Sequence, residues 1–127
     1  MKRFYLISIF LISFLGHTQI YNKEIEAKLK IEKNNDLLKI TGLVTNKTAI
    51  NTSLHYKLSV IKSGNKNNSN NSQTGRFVLE ANESKSLSVT SINANEKDRI
   101  IILLLIYDLD DNLLGKDRHV LNDSKKK

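Results

Sequence analysis

"KSGNKNNSNNSQTGRF", residues 62–77, is a polar run set between two patterned halves of the chain. It opens on a cation, passes through repeated asparagines and closes on Gly75-Arg76-Phe77. It is either a spacer between two domains or a connection inside one, and the flanking patterns decide which. Upstream, Ile25, Ala27, Leu29 and Ile31 alternate with Glu24, Glu26, Lys28, Lys30 and Glu32. That period of two is the mark of a half-buried strand. Asn34-Asn35-Asp36 is a turn cluster. Leu38, Ile40 and Val44 alternate next, with Gly42 breaking the row as at a bulge or close contact. After Asn46-Lys47-Thr48, the row Leu54, Tyr56, Leu58, Val60 gives the clearest strand.

Downstream, Phe77 and Leu79 begin one strand, and Leu87 and Val89 lie on another. Ile100 to Tyr107 reads IIILLLIY, a continuous apolar run that predicts a strand covered on both sides. Asp108 to Asn112 predicts a hairpin turn, and Leu113 to Leu121 the returning strand. Neither half alone has enough strands to bury a core. The polar run therefore joins two strands of one domain and is expected to be a long, solvated crossing. Seven short strands at about ten-residue spacing predict an all-β, immunoglobulin-like sandwich without a disulfide, over residues 23–121.

The ends differ in character. Met1-Lys2-Arg3 is basic, Phe4 to Gly16 is apolar, and Gly16-His17-Thr18 supplies small residues for cleavage. This is the layout of a secretory signal peptide over residues 1–18, too short for the roughly 20-residue span of a bilayer. Export to the periplasm, or beyond the cell, is the expectation, with no stable membrane insertion after cleavage. Residues 122–127 are expected to form a disordered basic tail.

Composition narrows the chemistry. The 127 residues carry a net charge of +7, with no cysteine, proline or tryptophan. Thiol redox chemistry and cysteine-ligated metals are thereby excluded, and a core must hold the domain without disulfides. No nucleophile–base–acid constellation is visible, so no catalytic residue is assigned and an enzyme is the class that fits least. Asp108-x-Asp110-x-Asn112 resembles the start of a calcium loop, but Leu113 and His119 stand where glycine and glutamate are needed. No metal site or cofactor is expected. There is no phosphate-cradling glycine loop and no stacked aromatic set for nucleic acid. Asn-x-Ser/Thr matches such as Asn46-Lys47-Thr48 arise by chance in a chain so rich in asparagine.

Several stretches resemble one known family. Tyr56-x-Leu58-x-Val60-x-Lys62-Ser63-Gly64, then a Ser/Asn-rich segment, then Ser72-Gln73-x-Gly75-x-Phe77, is similar to the CsgH-like (CsgC/CsgH) domain of curli assembly proteins. Leu87-Ser88-x-x-Ser91-Ile92-Asn93, Asp98-Arg99 before the apolar run, and Leu114-Gly115-Lys116-Asp117 continue the match in order. The resemblance implies a small periplasmic immunoglobulin-like sandwich that keeps a curli amyloid subunit soluble until export. A cysteine pair found in some CsgC proteins is absent, so a redox role does not follow. Ser63, Gly64, Gln73 and Gly75 are the motif residues expected to shape the loop. Lys57, Lys62 and Arg76 are the expected basic patch for a transient, electrostatic contact with the subunit, made by a monomer. Ordinary solvation and lysine protection of a sheet edge are the plainer reading of those cations. Two other classes stay open: a structural or adhesive surface subunit, which would purify as a polymer, and a polyanion-binding module, which usually needs exposed aromatics.

Overall fold

A computed structural model describes residues 21–64 and 68–122, which form seven strands in two antiparallel sheets. The proposed signal segment, residues 1–18, and the tail beyond Asn122 lie outside the described residues. The strands are β1 (Ile25–Asn34), β2 (Leu37–Asn46), β3 (Thr52–Ser63), β4 (Asn68–Leu79), β5 (Ser84–Asn93), β6 (Arg99–Asp108) and β7 (Leu113–Leu121). One sheet has the order β1-β2-β5 and the other β4-β3-β6-β7. The fold is the expected immunoglobulin-like sandwich.

The alternating rows become the core. Ile25, Ala27 and Leu29 of β1, Leu38, Ile40 and Val44 of β2, and Leu54, Leu58 and Val60 of β3 are all buried between the sheets. On β6, Ile100, Ile102, Leu104 and Ile106 are each 0% exposed. Burying a side chain of that size stabilises the fold by about 1.5–3 kcal/mol relative to leaving it in water, so β6 alone supplies a large share. The turns are made by short polar residues in the left-handed region, among them Asn35 (φ 58°), Asn82 (φ 59°) and Asp111 (φ 65°). Asparagine and aspartate tolerate that conformation through local side-chain hydrogen bonds.

Two expectations are corrected. First, most of the asparagine-rich run is a strand and not a crossing. β4 begins at Asn68 and pairs with β3 along its whole length, from Ser63↔Asn68 to Thr52↔Leu79. It stays in one sheet as a hairpin partner, and Phe77 and Leu79 end it rather than begin it. Asparagine is a poor strand former, but β4 is an edge strand laid on a strong partner. Its first residues need only main-chain pairing and face water. Second, β6 is covered on one side only. Ile101, Leu103 and Leu105 are half-buried on the outer surface, and among the described residues no further layer lies over them. Leu87 and Val89 both lie on β5, as expected, but face different ways. The β2–β5 register slips between Gly42 and Leu43, and a one-residue slip reverses side-chain direction. Leu87 packs on the core while Val89 is 53% exposed. The break expected at Gly42 is this bulge.

Candidate outer-face interaction site

Two of the motif residues, Gln73 and Gly75, act on how β4 packs. Gln73 and Gly75 are strand residues of β4, not loop residues; Ser63 ends β3, and Gly64 starts the short connection after it. The Gln73 amide donates to the Thr90 hydroxyl across the gap to β5, at 2.6 Å. A β-carbon on Gly75 would stand 2.9 Å from Tyr56 Cε1, so glycine leaves room for that ring to lie across β4. Tyr56 then meets Phe77 in a tilted contact, with centroids 6.2 Å apart. Lys85 donates to the Val78 carbonyl at 3.1 Å on the same open side.

The outer face of the four-stranded sheet can be built from register alone, because residues directly opposite in an antiparallel pair share a face. Across β4, β3, β6 and β7 its rows run Arg76, His55, Tyr107, Leu113; then Thr74, Lys57, Leu105, Lys116; then Ser72, Ser59, Leu103, Arg118; then Asn70, Ile61, Ile101, Val120. An apolar column on β6 thus stands between cations on both sides. No acid occurs in the four rows. Among the described residues, Lys57, Arg76, Lys116 and Arg118 make no ion pair. Lys116 lies 5.0 Å from the centroid of the Tyr21 ring. Long cationic side chains cover apolar neighbours with their stems while their charged heads stay in water. That accounts for Leu103 and Leu105 being half-buried with no layer above them.

One end of the face is fastened by polar contacts. His55 stacks on Tyr107 with centroids 5.0 Å apart and an interplanar angle of 16°. Its Nε2 is 2.8 Å from the Asp111 carboxylate in the β6–β7 turn. Asp108 accepts from the Asp110 and Asn112 amides at 2.9 Å each and from the Asn112 side chain at 3.0 Å. These bonds, the Asn112 side chain first, hold the Asp108 carboxyl below the ordinary carboxylate range. The carboxylate is thus committed to its own turn, as the hairpin reading required. Among the described residues no group of three or more acids and histidines could hold a metal ion.

Of the three cations expected to form a patch, the structure brings two together. Lys57 and Arg76 are diagonal neighbours on the outer face. Lys62 has the opposite parity and sits at the end of the sandwich, where its ammonium donates to the Asn93 carbonyl at 2.9 Å. Lys116 and Arg118 complete the face and were missed. The row Leu113 to Leu121 was legible as a strand, but nothing in it tells that β7 lies beside β6 in register with Leu103 and Leu105. Asn46, of the chance Asn-x-Thr match, is 0% exposed. Its side-chain Nδ2 donates to the Ile50 and Glu80 carbonyls at 2.8 and 3.1 Å, and its side-chain Oδ1 accepts from the Thr48 hydroxyl at 2.7 Å. It fastens two loops together.

No protein-family model matches the sequence, and no curated protein matches it. Solved structures do. The E. coli curli protein CsgC is 17% identical with a TM-score of 0.63, over 74% of this chain and 96% of its own. The solution structure of R. palustris CsgH is 16% identical with a TM-score of 0.55, over 72% of this chain and 89% of its own. A Bacteroides uniformis β-glucuronidase is also similar, at 12% identity and TM-score 0.57, over 76% of this chain but only 14% of the enzyme. The chain has the CsgC/CsgH-like fold, and the sandwich spans nearly the whole length of both of those proteins.

Proposed function

We propose that this protein is a periplasmic, non-catalytic chaperone that keeps a curli-type amyloid subunit from forming fibrils prematurely during curli assembly. The observation that carries the reading is the outer face of the four-stranded sheet: an apolar column on β6 flanked by Lys57, Arg76, Lys116 and Arg118, with no acid among its rows. Its support is the likeness of the fold to CsgC and CsgH, together with the signal-peptide pattern of residues 1–18.

Amyloid grows by adding strands to open edges and burying apolar and polar side chains against one another. A rigid face with apolar centre and cationic margin can hold a subunit that carries acidic and apolar side chains. Such contacts form fast, remain weak and fade with salt. Unpaired cations also repel a second copy of the chaperone, which keeps its own faces apart.

The test is amyloid growth of the cognate curli-type subunit, followed by dye fluorescence, with the domain added well below equimolar amounts. A lengthened lag that shortens as salt rises is the expected result. An unchanged lag with the domain folded by circular dichroism would overturn the proposal.

A further inference from the structure

The two edge strands β1 and β7 face each other across the side of the sandwich, and they are joined over only half their length. At one end they are zipped. The Asn22 side-chain oxygen Oδ1 accepts from the backbone amides of Ala27 and Lys116, each at 3.0 Å, and the Asp117 carboxylate accepts from the Leu29 amide at 2.8 Å. A β-carbon on Gly115 would stand 2.8 Å from the Ile25 carbonyl oxygen, so the backbones meet there. Beyond Leu29 and Asp117 the strands part, and a cavity of about 510 Å³ opens between the sheets.

Its wall is apolar: Leu29, Leu38, Ala94 and Ile100 belong to the core, while Ile31 and Leu121 are half-buried at its sides. The volume lies within the usual range of small-molecule sites, about 300–1,000 Å³. Its rim is cationic or neutral. Lys33 follows Ile31 on the inward parity of β1, opposite Leu38, and so stands at the mouth rather than on the outer face. His119 stands on the inward parity of β7, opposite Ile102, with Asn122 beyond it. Among the described residues Lys33 makes no ion pair. Of the acids near the mouth, Asp117 is engaged by the Leu29 amide and lies 3.6 Å from His119 Nε2, while Asp36 and Glu96 border an adjoining hollow that shares Lys33. By the alternation that aims the Ala27 and Leu29 amides toward β7, the amides of Ile31 and Lys33 aim into the same gap.

We propose that this cavity is a binding site for a single-chain amphiphile with an anionic head, of the fatty carboxylate class. The tail would replace water against Leu29, Leu38, Ile100 and Leu121. The head would lie at the rim, where Lys33, His119 and the edge amides of β1 donate to it. The inference is independent of the proposed chaperone face, which lies on the outer side of the four-stranded sheet, whereas the cavity opens between the two sheets.

Titration of decanoate into methyl-labelled protein, followed by NMR, tests it. The expected result is saturable shifts of the Leu29, Ile31 and Leu121 methyls, with those of Ile61 and Val78 unmoved. Lys33→Glu, on an exposed side chain that the fold does not need, should weaken decanoate about tenfold, the loss of one charge-assisted contact. It should leave decanol binding unchanged. Leu121→Trp should block both ligands. Absence of saturable shifts at about 10 mM decanoate, shifts centred on Ile61 and Ile101, or equal decanoate binding by Lys33→Glu would each overturn the assignment.

Discussion

The two outer faces of this sandwich are built from the same kind of alternating strand yet end with different surfaces. On the three-stranded sheet, β1 presents Glu26, Lys28, Lys30 and Glu32 to solvent, and β2 adds Lys39. Charges of both signs meet there: Glu32 lies within 3.9–4.0 Å of Lys30 and Lys39, and Glu26 is 3.6 Å from Lys47. The four-stranded sheet presents Ile101, Leu103, Leu105 and Tyr107 between cations, with no acid in its rows. The first face sets much of its charge in ion pairs of both signs, with Val89 an exposed apolar residue on it. The second leaves apolar surface and positive charge that a partner could cover. Burial on the inner side is alike in both sheets, so the difference lies wholly in which residues the alternation sends outward.

Mutations on the two faces should have different consequences. The largest expected effect is on function. Reversing Lys57, Arg76, Lys116 and Arg118 to Glu should abolish delay of amyloid growth with the circular dichroism spectrum retained. Reversing Lys28, Lys30 and Lys39 on the other face should leave the delay in place, and so should Lys62→Glu. A delay that survives the first set would end the assignment of the face.

Next comes a pair of neighbours on one strand. Leu104→Ala removes a side chain with no exposure and should cost about 2–5 kcal/mol in urea unfolding. Leu103→Ala, directed outward, should cost less than about 1 kcal/mol while shortening the amyloid lag. Equal stability losses would mean that β6 is covered on both sides after all. Smaller still, Glu32→Gln on the ion-paired face should change stability by no more than about 1 kcal/mol, because the side chains involved are more than half exposed.

The smallest effect is one of pH. The Asp108 carboxyl is held below its ordinary value in the folded protein, so the unfolded chain binds the proton more readily. The stability it contributes is present above the ordinary carboxylate pKa of 3.8 and is lost as pH falls through the lower, folded value. Asp108→Asn should flatten that part of the acid limb, read from urea midpoints between about pH 5 and 2. An unaltered acid limb would remove the turn from the account.

How much of this was legible beforehand varies by residue. The rows on β1, β2 and β3 told of strands because half-burial imposes a period of two. Asn35 and Asp108 marked turns through their local hydrogen-bonding chemistry. The site was half legible. Lys57 could be read as outward because Leu58 beside it must be inward. Lys116 and Arg118 could not be placed, since their neighbours Asp117 and His119 are polar as well and no alternation shows.

By itself the chain determined an all-β sandwich of seven strands with no disulfide, because apolar periodicity and turn residues act over a few positions and need no partner to be read. Tertiary structure decided the rest. It made the asparagine-rich run into β4, since an edge strand is held by main-chain bonds to β3 and its side chains may stay in water. It chose which half of IIILLLIY faces solvent, put Lys116 and Arg118 beside that half, and parted β1 from β7 to leave a cavity under Lys33. Each of these depends on register between segments far apart in sequence, and a strand's pattern says which residues share a face but not what lies against it.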